Sequence, residues 1–158
     1  MKKSIVSLLS LAVGAVLGGA VAGGKMTQNL AKKQEMSDKH LSLYLMMNQW
    51  VRVKQEGKRL ETYFEKRAYY NIAIYGMSYA GETLLNELTG TNIHVKYAID
   101  KNSSKIYSGV TVCSIDDVLG KVDVVVVTAI TYFDEIRDIL EDKVDCPIIS
   151  LEDILYEI

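Results

Sequence analysis

The feature of this sequence that most constrains its fold is a regular alternation of short apolar segments and amphipathic segments between Tyr69 and Ile158. The clearest apolar segment is VDVVVVTA, residues 122–129, with four consecutive valines. Apolar strands that alternate with helices are typical of a parallel sheet covered on both faces. Because crossovers are right-handed, the simplest topology is a small doubly wound α/β sheet of order 3-2-1-4-5.

Five strands and four helices are predicted in this domain, which we assign to residues 69–158. The strands are NIAIYG, HVKYAID, VTVCS, VDVVVVTA and CPIIS, and the helices are AGETLLNELTG, IDDVLG, YFDEIRDILED and LEDILYEI. A segment of this size has room for one hydrophobic core and no separate substrate domain.

The start of the chain carries a different signal. Lys2 and Lys3 precede 21 uncharged residues, 4–24, which as a helix would reach about 31 Å, close to the roughly 30 Å of a bilayer's hydrocarbon core. We therefore predict a transmembrane anchor over residues 1–25. A cleaved signal peptide is the competing interpretation, because the tripeptide AVA at 20–22 resembles a cleavage site.

Charge divides the chain at Arg67. Residues 1–67 hold 12 Lys and Arg against 5 Asp and Glu, whereas residues 68–158 hold 6 against 15. A basic segment beside an apolar span suits an anionic membrane surface, and an acidic domain repels nucleic acid. We therefore expect membrane contact through residues 4–24 and no nucleic-acid partner. The lysines after the span outweigh those before it, which predicts a single-pass protein with its C-terminal domain cytoplasmic.

Residues 26–68 are predicted to form a helical stalk. No proline or glycine occurs between Met26 and Lys54, which predicts one long helix, and KRLETYFEKR predicts a short one after Gly57. In the long helix, five apolar residues are spaced to form a buried stripe: Leu41, Tyr44, Leu45, Met47 and Val51. We expect this stripe, and Trp50 with it, to pack against the C-terminal domain or against a copy of itself.

A homo-oligomer is accordingly expected through this stalk or through a glycine face of the span. The glycines of that face lie four residues apart, at Gly14 and Gly18 and at Gly19 and Gly23, which allows a second helix to approach closely.

The turn between the first predicted strand and its helix carries the most specific motif. In YGMSYAG, Gly76, Ser78 and Gly81 occupy the three positions of the G-x-G-x-x-G dinucleotide fingerprint, with serine in the middle. The helix N-terminus behind such a turn favours an anion. Asp100 follows Gly76 by 24 residues at the end of the second strand, where a carboxylate can bind ribose hydroxyls.

Thr128 and Ala129, at the end of the fourth strand, are predicted to form the other wall of this cofactor site. A structural explanation of the same residues stays open. The two glycines also suit a plain strand-to-helix turn, and Asp100 in IDKNSS also suits the start of a loop, where it would accept backbone hydrogen bonds. The ligand is then a nucleotide such as NAD(P), or the fold is degenerate and binds nothing there.

No catalytic group is predicted. Tyr97 and Lys101 have the Tyr-x-x-x-Lys spacing used by short-chain dehydrogenases, but they straddle the end of a strand, so we reject that pair. His40 and His94 lack neighbouring ligands and are interpreted as surface or packing residues, so no metal site is expected.

The cysteines and the acidic pairs also have structural interpretations. Cys113 and Cys146 lie in predicted strands as small core residues. Three acidic pairs are each placed in the first turn of a helix, where they favour the helix dipole: Asp116-Asp117, Asp134-Glu135 and Glu152-Asp153. A binding protein is therefore favoured over an enzyme.

Four segments together resemble a Rossmann-like module of bacterial cell-surface polysaccharide and glycosyltransferase loci. They are YFEKRAYYNIAIYGMSYAGETLL, YAIDKN, VDVVVVTAITYFDEI and CPIISLEDILYEI, and the similarity covers residues 48–158. The glycine-rich N-terminal segment resembles short bacterial membrane proteins. The resemblance implies a nucleotide-sugar-binding or CoA-binding-like domain, a polysaccharide-assembly enzyme as partner, and no catalytic residues. Members with glycine at the position of Ser78 are closer to the nucleotide-binding pattern.

These observations lead to one expectation and two alternatives. We expect a bacterial inner- or plasma-membrane accessory protein whose cytoplasmic Rossmann-like domain binds a nucleotide-type ligand or a protein partner. The alternatives are a small NAD(P)- or nucleotide-sugar-dependent enzyme and a degenerate scaffold without a ligand.

Overall fold

The computed structural model describes the backbone of residues 2–101 and 109–158, and the side chains of residues 27–101 and 109–158. The chain divides into two compact units, Met1–Ser42 and Leu43–Ile158. The predicted membrane span, with its glycine face and its cleavage motif, lies outside the residues whose side chains are described. Within the residues that are described, no helix is both long enough and apolar enough to cross a membrane.

The second unit contains a five-stranded parallel sheet. Its strands are β1 (Asn71–Tyr75), β2 (His94–Ile99), β3 (Val112–Cys113), β4 (Val124–Val127) and β5 (Ile148–Ser150). The helices of the chain are α1 (Lys2–Gln55), α2 (Glu61–Lys66), α3 (Tyr79–Leu88), α4 (Phe133–Glu141) and α5 (Leu151–Glu157), and a 3-10 helix (Ile130–Tyr132) precedes α4. The strand order is β3-β2-β1-β4-β5 and every pairing is parallel, so the predicted order is confirmed.

Helices cover both faces of this sheet. On one face, Ile72 and Ile74 of β1 join a core with side chains from α2, α3, α5 and the C-terminal end of α1. On the other face, Ala73 and Tyr75 pack with Ile136 and other residues of α4. Successive residues of β1 and β4 therefore point into two different cores, which explains why both strands are continuously apolar in the sequence.

The C-terminal end of α1 packs by a different face from the one predicted. Met46, Trp50 and Val53 are buried in the core. The residues of the predicted stripe are all exposed: Leu41, Tyr44, Leu45, Met47 and Val51. Packing of the stripe against the C-terminal domain is therefore wrong, while its pairing with a copy stays a prediction. This part of the helix is apolar on two sides. A hydrogen bond helps to select the side that packs against the domain, because the Trp50 indole donates to Glu87 Oε2 of α3 at 2.7 Å.

Residues 115–120, predicted as a short helix, form a turn instead. The Ser114 N–H donates to Asp117 Oδ2 at 2.7 Å, and the Asp117 N–H donates back to the Ser114 carbonyl at 3.1 Å. These bonds close one turn without a helical ladder. Val118 is 99 % exposed, while Ile115 and Leu119 pack against the core from the turn. The pair Asp116-Asp117 is thus not in a helix, whereas the other two acidic pairs lie in the first turns of α4 and α5 as predicted.

Ala68, between α2 and β1, adopts a left-handed backbone conformation with a φ of 57°. This conformation costs a non-glycine residue about 1–2 kcal/mol, and the Ala68 side chain is exposed. We expect Ala68→Gly to raise the free energy of unfolding by about 0.5–1 kcal/mol, after the entropy cost of glycine is subtracted. Urea denaturation of the full chain measures this. Ala80→Gly inside α3 is the control and should lower the free energy of unfolding. A lower free energy of unfolding in Ala68→Gly would contradict the left-handed conformation of Ala68.

Candidate functional site

The turn that follows β1 is fixed by bonds to both neighbouring strands. Gly76 has a left-handed φ of 95°, and its N–H donates to the Ile99 carbonyl of β2 at 2.8 Å. The Thr128 hydroxyl lies 2.6 Å from the Gly76 carbonyl oxygen and 3.1 Å from that of Tyr75. A Cβ on Gly76 would lie 2.9 Å from Thr128 Oγ1. Thr128 is 1 % exposed, so its hydroxyl holds the turn from the protein interior.

The third glycine of the motif has a packing role. Gly81 lies in the first turn of α3, and a methyl group there would overlap the carbonyl oxygen of Gly76. This is the close helix-to-strand approach that the fingerprint's last glycine permits. Ser78, in the middle position, has an extended backbone (φ −91°, ψ −166°) that any residue adopts, and its side chain makes no capping hydrogen bond to α3. Serine therefore fits this position without backbone strain.

Asp100 contacts the glycine turn directly. Its Oδ2 accepts a hydrogen bond from the Met77 N–H at 2.7 Å. The Asp100 carboxylate thus accepts the hydrogen bond of a turn N–H group that could otherwise donate to a phosphate. Of the two interpretations of Asp100 left open by the sequence, the structure shows backbone hydrogen bonding, from the Met77 N–H of the β1 turn. A carboxylate offers about four acceptor positions, so one carboxylate can hold this turn and also a ribose hydroxyl.

A pocket of about 410 Å³ opens beside this turn, at the carboxyl ends of β1, β2 and β4. It lies where the strand order reverses between β1 and β4, which is the usual ligand position in open α/β sheets. We call it the switch-point pocket; its lining residues are Tyr75, Gly76, Ser78, Asp100, Lys101, Ala129, Tyr132, Glu135, Ile136 and Ile139. Four of the predicted site residues line the pocket. Gly81 and Thr128 do not line it but contact the glycine turn that does.

One wall of the switch-point pocket was not predicted. It comes from α4 and the residue before it, where Tyr132, Glu135, Ile136 and Ile139 face the pocket. Ile139 is 49 % exposed, so part of its side chain is open to the pocket. The spacing of three to four residues was visible in the sequence as one helix face. That face was not placed at the site from the sequence, although the helix that follows the switch-point strand borders the ligand position.

The electrostatics of the pocket favour uncharged ligand groups. Among the described lining residues, Asp100 and Glu135 contribute carboxylates and Lys101 contributes a cation. Burial, with a smaller contribution from the charge of Asp100, raises the pKa of Tyr75 above its usual value. Tyr75 is therefore a neutral phenol at physiological pH. The strand-end side of the pocket presents hydroxyl groups, the Asp100 carboxylate and the Lys101 cation. The α4 side presents apolar side chains together with the Glu135 carboxylate.

The rejected pair Tyr97 and Lys101 is separated in its interactions. The Tyr97 hydroxyl donates to the Gly120 carbonyl at 2.7 Å, and burial raises its pKa. Tyr97 is a core residue of the α4 face, whereas Lys101 lines the switch-point pocket. The tyrosine-lysine arrangement of a short-chain dehydrogenase is therefore not formed by this pair.

The remaining candidate residues lie elsewhere. Cys113 is in β3 as predicted, but Cys146 precedes β5, and burial raises the pKa of the Cys146 thiol, which opposes thiolate formation. Both cysteines are half-buried against the α4 face of the core. His40 and His94 are exposed. Across the described residues, no group of three or more His, Cys, Asp or Glu side chains is arranged to hold a metal ion.

No protein-family model matches this chain, and no curated protein matches its sequence. The similarity to polysaccharide-locus modules therefore stays a prediction from the four sequence segments. The structure itself defines the class: an α/β domain with an open parallel sheet of order 3-2-1-4-5 and a pocket at its switch point.

Proposed function

We propose that the α/β domain is a binding module that takes a nucleoside-type ligand in the switch-point pocket. The observation that carries this proposal is the pocket's position beside the glycine turn, together with its division into a polar and an apolar wall. Its volume of about 410 Å³ lies within the range of about 300–1,000 Å³ that is typical of small-molecule sites. A nucleoside has the same division, because a flat base is joined to a sugar that carries hydroxyls.

The two walls suggest an orientation for the ligand. The apolar wall of Tyr132, Ile136 and Ile139 suits the base, which gains from burial of its faces. The polar wall suits the ribose, whose hydroxyls would donate to the Asp100 carboxylate. The bond from the Met77 N–H holds that carboxylate in place before a ligand arrives, which lowers the entropy cost of binding.

The same bond disfavours a pyrophosphate in the glycine turn. A phosphate on the α3 amides next to Met77 would lie near the Asp100 carboxylate, and two like charges about 5 Å apart repel by about 3 kcal/mol at an effective dielectric constant near 20. Lys101 offsets part of this repulsion. The ligand classes expected from the sequence, NAD(P), CoA and nucleotide sugars, all carry a pyrophosphate. We therefore propose that a nucleoside or a mononucleotide binds better than these.

The cellular role that we propose is that of an accessory protein. Residues 4–24 would anchor the chain in a bacterial membrane with the acidic domain on the cytoplasmic side, and the ligand-loaded domain would act on a polysaccharide-assembly enzyme. The supports for this part are the uncharged span, the basic segment after it and the four segments of sequence similarity.

Isothermal titration of the full chain in mild detergent against adenosine, uridine, NAD⁺, CoA and UDP-glucose tests the ligand class. We expect a nucleoside to bind, and Ile139→Glu to weaken that binding by at least about tenfold, because it places a charge against the apolar wall. Tyr156→Glu is the matched control, since Tyr156 is also an exposed large side chain, at 60 %, but lies on α5. No binding by any probe, or equal affinity in the Ile139 variant, would contradict the proposal.

Asp100→Asn separates the two contributions of the carboxylate. Asparagine can still accept the Met77 hydrogen bond, so the turn is kept. It lacks the charge that repels a pyrophosphate. We expect the ratio of NAD⁺ affinity to adenosine affinity to rise by about tenfold or more in this variant. An unchanged ratio would show that Asp100 does not face the ligand.

A further inference from the structure

The C-terminal part of α1 presents an exposed apolar surface, which we call the α1 seam. It consists of Tyr44, Leu45, Met47, Asn48 and Val51, and its four apolar members are 67, 45, 37 and 52 % exposed. Contiguous exposed apolar patches on a folded domain mark interaction sites more often than chance. We infer that the α1 seam binds the same seam of a second copy of this chain, in a parallel orientation.

The α1 seam is exposed even though α1 has a hydrophobic core to pack against. The opposite side of the same helix is already buried, since Met46, Trp50 and Val53 pack in the domain. The Gln49 side-chain amide also donates to the Leu155 carbonyl at 3.0 Å. These contacts fix the rotation of the helix, so most of the seam faces away from its own domain. Its edge at Met47 and Val51 borders a groove shared with Thr83 and Glu87 of α3. Any partner of the seam must therefore come from outside the fold.

The spacing of the seam indicates that this partner is another α1. Leu41, Tyr44, Asn48 and Val51 follow one another at intervals of three, four and three residues, the a and d positions of a heptad repeat. In a parallel pair, each a position faces the same residue of the other helix. Asparagine carries both a donor and an acceptor, so Asn48 can pair with its own copy. A single asparagine at an a position is a known determinant of parallel two-stranded pairing.

Charge also favours a second copy. No residue between Tyr44 and Val51 is charged, so symmetric pairing brings no like charges together. An anionic membrane surface is a poorer fit, because interfacial helices of that kind place several Lys or Arg beside their apolar face. Two cations follow the seam on α1, Arg52 and Lys54, and Lys54 pairs with Glu87 Oε1 at 2.9 Å.

A cysteine reporter in the full chain tests this pairing. Cys113 and Cys146 are replaced by alanine, and Gln55→Cys is introduced at the end of α1, seven residues after Asn48. In a parallel pair the two reporters face each other and form a disulfide under mild oxidation. In an antiparallel pair of the same seam they would lie roughly 20 Å apart. The protein is kept dilute in mild detergent, so that crosslinking by random collision stays slow.

Two substitutions of Asn48 give opposite expected results. Asn48→Lys places like charges together and should slow crosslinking by about tenfold or more. Asn48→Val removes a polar group from the seam and should speed it by about threefold. Tyr156→Lys on α5 is the matched control and should change nothing. Because Asn48 is exposed in the single chain, both variants should fold normally, which intrinsic fluorescence of Trp50 checks.

The outcomes separate the seam from other partners. Fast crosslinking that responds in opposite directions to the two Asn48 variants supports the pairing. Slow crosslinking of the parent reporter, or equal rates in both Asn48 variants, would overturn it, and the second result would place any dimer contact in another part of the chain.

Discussion

Replacing Gly81 by alanine is expected to lower the free energy of unfolding by about 3 kcal/mol, the upper end of the usual cost of overpacking. The added methyl group would overlap the carbonyl oxygen of Gly76, and Met77 Sδ lies 3.4 Å away on another side. Neither the β1 turn nor α3 can move easily, because Thr128 and Asp100 both hold the turn. Urea denaturation of the full chain, followed by far-ultraviolet circular dichroism, measures the loss.

Gly90→Ala is the control for the Gly81 variant. Gly90 also needs glycine for its backbone, with a φ of 81°, but nothing lies within 4 Å of an added Cβ. Its substitution should cost only the conformational strain, about 1–2 kcal/mol. Equal losses at the two positions would show that close approach of α3 to the turn contributes nothing.

Replacing Trp50 by alanine is expected to cost about 3–5 kcal/mol, the range for removal of a buried large aromatic side chain. Trp50 is 3 % exposed and lies in the core on the α3 and α5 side of the sheet. Its indole also supplies a hydrogen bond to Glu87, whose other carboxylate oxygen pairs with Lys54 Nζ at 2.9 Å. The variant thus leaves a cavity and weakens the attachment of α1 to α3. Thermal and urea denaturation of the full chain report the change.

Trp50→Phe divides this effect into its parts. Phenylalanine fills most of the space but lacks the indole N–H, so a loss of about 1–2 kcal/mol is expected from the missing hydrogen bond and the smaller ring. If Trp50→Ala cost less than 1 kcal/mol, the end of α1 could not be an integral part of the domain core.

The order of the sheet was predictable because the continuous burial of β1 and β4 indicates a parallel sheet. Right-handed crossovers then give 3-2-1-4-5 as the simplest order. The helix over 115–120 was not, because side-chain hydrogen bonds of Ser114 and Asp117 close a single turn. The face by which α1 packs against the domain was not predictable either. Its C-terminal part is apolar on two sides, and the deciding contacts come from Glu87 and Leu155, which are far away in sequence.

The glycine motif located the candidate site but did not give its chemistry. Spacing placed Gly76, Ser78 and Asp100 at one end of the sheet, and the structure brings them together around one pocket. Spacing did not show that Asp100 bonds to the turn, because this depends on the exact ends of β1 and β2. The spacing also did not show that Ile139 lines the pocket, because the exposure of Ile139 depends on how α4 lies across the sheet.

Methyl nuclear magnetic resonance can observe a nucleoside-type ligand in the switch-point pocket directly, at the side chains proposed to contact it. The full chain, labelled at isoleucine methyl groups, is titrated with adenosine and with uridine. We expect shifts of the Ile136 and Ile139 methyl signals that saturate with one of these ligands, while the Ile93 signal near the opposite end of the sheet stays fixed. Unmoved Ile136 and Ile139 signals with both ligands, or shifts confined to Ile93, would contradict this proposal.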